Sequence, residues 1–157
     1  GLEVWKKIRK GRADEYAAFL YEIAAIYANL GQVNTELDYL SMAREAVEKE
    51  GNTRSVRFAW LMKHMGELYV AGGSRAAAET LFLKAESIFA ERGLDATAEN
   101  ADCKFQRGLL YAERCEKVKA DAELRNAQRI YAGAWQYDKA KAAQKEADAL
   151  FKKSGRD

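Results

Sequence analysis

Residues 66–85 read GELYVAGGSRAAAETLFLKA. Gly66 and Tyr69 stand three apart, a glycine pair follows at 72–73, and Ala78, Phe82 and Ala85 then recur at helical spacing. Two helices joined by a tight glycine turn satisfy this pattern, because glycine accepts the left-handed backbone that closes a helix. The same plan is written three times. Tyr27, Tyr69 and Tyr111 lie 42 residues apart, and that shift superposes Ala24 on Gly66 and Gly108. It also superposes Leu40 on Phe82 and Leu124, Ala43 on Ala85 and Ala127, Gly31 on Gly73, and Gly51 on Gly93. A fixed period in this range marks a solenoid, in which each unit buries its apolar face against its neighbours. Solenoids work through extended surfaces, so the period points to binding rather than catalysis.

Outside that stretch every strong segment keeps a helical period. Leu20, Ile23, Ala24, Tyr27 and Leu30 form one stripe, and Leu37, Leu40, Ala43 and Val47 the next. Breaks at Gly31–Gln32, Gly51–Asn52, Gly72–Gly73–Ser74 and Gly93–Leu94–Asp95 pair a glycine stop with a polar cap. They predict helices over 2–10, 12–30, 33–50, 53–71, 74–92, 95–114, 117–133 and 136–153, with no sheet. The short links force antiparallel hairpins. Ala24, Gly66 and Gly108 are small where the helices of a hairpin approach, and Leu40, Phe82 and Leu124 are large enough to fill the space between units.

Composition agrees with one folded domain spanning all 157 residues: 48% of them are hydrophobic and 32% charged. A formal charge of +2 gives no electrostatic footprint for nucleic acid. No apolar run reaches the ~20 residues that span a bilayer, and no signal-peptide core follows the basic stretch from Lys6 to Arg12. Cys103 and Cys115 on one helix would stand about 18 Å apart, too far for a disulfide. Two free thiols fit a reducing, cytoplasmic setting. There is no proline to kink a helix or stiffen a linker.

The pattern resembles the tetratricopeptide repeat, whose unit carries a small residue, a tyrosine three places on, a glycine turn, then alanine, a large apolar residue and alanine. Gly66, Tyr69, Gly73, Ala78, Phe82 and Ala85 match it best. The third unit has Gly108, Tyr111, Ala120, Leu124 and Ala127, with Cys115 in the glycine's place; the first has Ala24, Tyr27, Gly31, Leu40 and Ala43, with Glu36 where alanine is usual. The 42-residue period looks like the long-helix version found in kinesin light chains and several bacterial regulators. The resemblance implies a right-handed all-α superhelix with repeats over about 12–52, 53–94 and 95–135. Residues 2–10 would then be the tail of a preceding second helix, as in a section cut from a longer array, and 136–153 a polar cap.

In that family a stripe on each first helix faces a concave groove. Here it comprises Ala18, Tyr21, Ala25, Ala28 and Asn29, then Trp60, Lys63, Glu67 and Val70, then Asp102, Phe105, Leu109 and Ala112. Tyr21, Asn29, Trp60, Lys63, Glu67, Asp102 and Phe105 are the candidate partner-binding residues, because aromatic anchors within a polar surround are what interface hot spots consist of. The positions that clamp carboxylates in chaperone-tail binders hold Tyr21, Ala25, His64, Asp102 and Gln106, which argues against such a ligand.

Catalytic and metal chemistry finds no footing. His64 is the lone histidine and has no companion at ligand spacing. Gly72–Gly73–Ser74 reads as a hairpin turn rather than a phosphate loop, and Glu48 and Glu50 share a solvated face with Arg44 and Lys49. The tyrosines of the period read as packing residues. The expectation is a non-catalytic scaffold without metal or cofactor, binding a protein or peptide in its groove. The alternatives are self-assembly through the repeat ends, where Trp5 and Trp135 would serve, and a peptide- or ligand-sensing domain of a larger regulator.

Overall fold

Ser55 and Thr97 open two of the helices by accepting hydrogen bonds from the backbone N–H groups of Phe58 (3.1 Å) and Asn100 (3.4 Å). The computed structural model describes residues 3–4 and 12–152. The helices run α1 Ala13–Asn29, α2 Val33–Glu50, α3 Val56–Ala71, α4 Arg75–Glu91, α5 Ala98–Glu113, α6 Lys117–Gly133 and α7 Tyr137–Ala149. Two starts differ from expectation by three residues, the others by one at most. Helices predicted from 53 and 95 begin at 56 and 98, because the hydroxyls of Ser55 and Thr97 cap them rather than the polar residue next to the glycine. The last helix stops at Ala149, short of 153. The helix expected over 2–10, and Trp5 with it, lies outside the described residues apart from positions 3 and 4.

The turns repeat as the side chains do. The carbonyls of Tyr27, Tyr69 and Tyr111 accept bonds from the amides of Gln32, Ser74 and Glu116, closing the first helix of each hairpin. Between them Gly31, Gly73 and Cys115 are left-handed. The carbonyls of Val47, Phe89 and Tyr131 do the same for Asn52, Leu94 and Gln136, around left-handed Gly51, Gly93 and Trp135. The third unit thus keeps both turns after losing both glycines, with a cysteine and a tryptophan held where a side chain is disfavoured.

Packing follows the hairpins: α1 lies on α2, α3 on α4, α5 on α6, and α7 on α6, while α2–α3 and α4–α5 join one hairpin to the next. Among the described residues there is no strand, and the fold is an all-α, solenoid-like stack. Small meets large as the sizes predict. A Cβ on Gly66 would stand 2.8 Å from Phe82 Cε1, and one on Gly108 would stand 2.7 Å from Leu124 Cγ. In the first hairpin the corresponding Ala24 and Leu40 are both buried. Phe58, Met62, Met65, Ile88 and Phe89 complete the core around them, which also takes in Cys103. The repeated tyrosines are half-buried. Tyr27 stacks on Tyr39 with ring centroids 5.5 Å apart, and the Tyr111 hydroxyl lies 3.4 Å from an Arg107 nitrogen.

Candidate functional site

The first helices of the hairpins, α1, α3 and α5, carry the predicted groove stripe; α7 follows them in the row, and the three joints of that row differ. Between α1 and α3 the helices stand apart over a cleft of about 610 Å3. Its α1 wall is mostly small: Ala18, Ala24, Ala25 and Ala28, with Tyr21 and Asn29 among them. Leu40 and Glu36 of α2 close the floor, and Arg57, Trp60, Leu61 and His64 of α3 form the opposite wall. The counterpart joint, between α3 and α5, is bridged. There Phe82 takes the place of Leu40 and seats its ring on Gly66, and Lys63 crosses from α3 to α5. A smaller floor residue and an alanine-rich wall are what leave the first joint open.

Tyr21 is half-buried in this cleft, and burial pushes its hydroxyl up to about 12 although Arg57 pulls the other way. It therefore stays a hydrogen-bond donor at physiological pH. Trp60 is 46% exposed, a large apolar face open to the cleft. Asn29 is exposed at the end of α1. These three candidates share one site.

Lys63, Glu67 and Asp102 are drawn together elsewhere. Lys63 is buried; its ammonium lies 3.1 Å from Glu67, 3.2 Å from Asp102 and 5.4 Å from the centre of the Trp60 ring. Burial works against the charge, but Glu67 and Asp102 outweigh it and hold the ammonium above its ordinary range. Asp102 also accepts a hydrogen bond from the Tyr131 hydroxyl and meets Lys139 of α7 at 3.4 Å. Burial, then that bond, raises the Tyr131 phenol. Asp102 thus ties α3, α5, α6 and α7 together. Phe105 is half-buried beside it, lining a recess of about 250 Å3 between α5 and α7 with Gln106 and Lys139.

Two charged clusters are contacts that the sequence pattern does not specify. The carboxylate of Glu36 is buried, 4% exposed, and its Oε1 lies 2.8 Å from Nε2 of His64 in the next hairpin. The signal was present in the sequence, since Glu36 interrupts a register otherwise held by Ala78 and Ala120, both fully buried. On the other side of the stack, Glu86 of α4 receives Arg107 and Lys104 of α5, and Arg107 reaches on to Glu123 of α6 at 3.3 Å. Burial opposes the Arg107 charge, but its bond to Glu86 and the surrounding carboxylates raise it overall. No periodicity reveals such pairs, because partners on different helices are set by the spacing between hairpins.

Among the described residues no group of three or more His, Cys, Asp or Glu side chains is arranged to hold a metal ion. No helix among them is long and apolar enough to cross a membrane. Cys103 is buried, and burial followed by the nearby Glu86 carboxylate pushes its thiol above the ordinary range; Cys115 is exposed.

No protein-family model matches the chain. No curated protein matches it in sequence. In three dimensions it is similar to a crystal structure of BtubC (BKLC) from P. vanneervenii, with a TM-score of 0.68 at 15% sequence identity. The likeness covers 88% of this chain and 64% of that one, and at this identity it shows the fold alone.

Proposed function

We propose that this chain is a non-catalytic recognition module of the tetratricopeptide-repeat kind that holds a segment of a partner protein on the face formed by α1, α3 and α5. The cleft between α1 and α3 carries the reading. It is concave, walled by small residues and flanked by one exposed and one half-buried aromatic ring, which is the make-up of an anchor pocket. Its volume, about 610 Å3, suits one or two side chains of an extended or helical segment rather than a whole domain. The 42-residue register supports the family, and the exposed Cys115 thiol suits a reducing, cytoplasmic setting.

The roles of the seven candidates divide on this reading. Tyr21, Asn29 and Trp60 contact the partner, Phe105 extends the surface toward α7, and Lys63, Glu67 and Asp102 hold the helices that present it. A displayed library of 12-residue peptides selected on the full chain tests the proposal. Peptides retained by the parent and lost by Trp60→Ala at unchanged helix content support it. Peptides retained equally by Tyr21→Ala and Trp60→Ala refute it.

A further inference from the structure

Glu36 does not behave like a structural residue. Its two register partners, Ala78 and Ala120, are fully buried without any polar group to satisfy. At position 36 the fold instead takes a carboxylate out of water, which is costly unless the charge is well paired. Its partner among the described residues is His64, whose own side chain is half exposed. Alanine would serve the helix pair at least as well, as it does twice elsewhere in the chain. Glu36 lines the α1–α3 cleft together with Tyr21 and Trp60.

A carboxylate, an aromatic ring on each wall and an alanine-rich wall lining one cleft form a complementary set, with Lys63 already 5.4 Å from the centre of the Trp60 ring. The carboxylate attracts a cation, the rings favour it over their faces, and the small side chains leave room for an aliphatic stem. Arg57, exposed and also lining the cleft, has no ion-pair partner among the described residues. It suits an acidic residue beside the basic one. We infer that the α1–α3 cleft admits a long basic side chain, arginine or lysine, from a partner segment with an acidic neighbour, and that Glu36 is the residue that selects it. The inference rests on the groove reading above and adds the chemistry of the partner. His64, bonded to the same carboxylate, holds Glu36 in place and is a positioning residue.

The test uses the full chain and the same peptide library. Selection is expected to enrich Arg or Lys at one position with Asp or Glu adjacent. In the best peptide, replacing the basic residue by norleucine should weaken binding at least tenfold. Glu36→Ala should weaken the parent peptide equally and the norleucine peptide hardly at all, which shows that the two groups meet. Glu36→Ala should also melt at the same temperature as the parent or higher, since it restores the residue used at 78 and 120. Weaker binding in a protein that is no less stable separates a selecting carboxylate from a structural one. A clearly lower melting temperature for Glu36→Ala would overturn the inference by making the His64 bond a structural tie. Enriched peptides without a basic residue, lost by Trp60→Ala but kept by Glu36→Ala, would overturn it while leaving the groove reading intact. Peptides indifferent to Trp60 and Glu36 alike would remove both. Self-association abolished by Glu36→Ala would overturn the partner assignment in favour of a second copy.

Discussion

Replacing Gly66 by alanine sets two known effects against each other at one atom. In a helix interior the change alone favours folding by about 1 kcal/mol, because glycine has more backbone freedom to lose. The new Cβ, however, would stand 2.8 Å from Cε1, 3.0 Å from Cζ and 3.1 Å from Cδ1 of Phe82. Carbon contacts are comfortable from about 3.5 Å, so the ring must retreat by about 0.7 Å. Phe82 is fully buried, and Gly66 lies in the same close-packed core. Overpacking of this kind costs about 1–3 kcal/mol, and a clash with three atoms of one rigid ring belongs at the upper end. The balance predicts that Gly66→Ala loses about 1–2 kcal/mol of stability, or roughly 2–8 °C in Tm for a chain of this size. Urea denaturation followed by circular dichroism measures it. The chain supplies its own control: Ala24 and Leu40 occupy the same two positions in the first hairpin. Gly66→Ala combined with Phe82→Leu should therefore be more stable than the two single effects predict, with a favourable coupling of about 1 kcal/mol. A Gly66→Ala protein as stable as the parent would refute the claim that close helix approach, rather than chance, fixes the small residue in each repeat.

Cys115→Gly should stabilise by up to about 1 kcal/mol in the same assay, because the residue is exposed at φ 60° where the other two hairpins use glycine. Asp102→Ala should cost about 2–4 kcal/mol, since it strips Lys63 of one of its two carboxylates and leaves the Tyr131 hydroxyl without its acceptor; a loss below about 0.5 kcal/mol would show that this cluster holds nothing together. Tyr21, Lys63, Cys103 and Tyr131 all keep their protons more tightly folded than unfolded. Their contribution is complete below the unfolded values and is lost as pH rises toward the folded ones. With an unfolded thiol near ~8.5 and phenols and ammonium near ~10, Tm should hold to about pH 8 and fall above about pH 9. A Tm level to about pH 11 would contradict the burial of these groups.

What the sequence made legible is whatever repeats. The pairing of Gly66 with Phe82 and Gly108 with Leu124 follows from period and size alone, because each hairpin solves the same packing problem. Helix starts were less legible: the stop is set by glycine but the cap by whichever hydroxyl reaches the first turn, and Ser55 and Thr97 lie several residues downstream. The candidate site was legible in outline only. The groove stripe placed Tyr21, Asn29 and Trp60 around one cleft, yet it grouped with them Lys63 and Asp102, whose charges find each other across α3 and α5. Whether a charged side chain faces a partner or a neighbouring helix depends on the gap between hairpins.

The unequal joints also have a mechanical meaning. Lys63–Asp102, Arg75–Glu113, Arg114–Glu79 and the Glu86 cluster lace the second hairpin to the third on several sides. The first joint holds the cleft and the Glu36–His64 pair instead. Tension along the stack is expected to part α1 and α2 from α3 before it disturbs α3 to α7. A segment seated in the cleft would act as a wedge at that joint and set the angle between the first hairpin and the second.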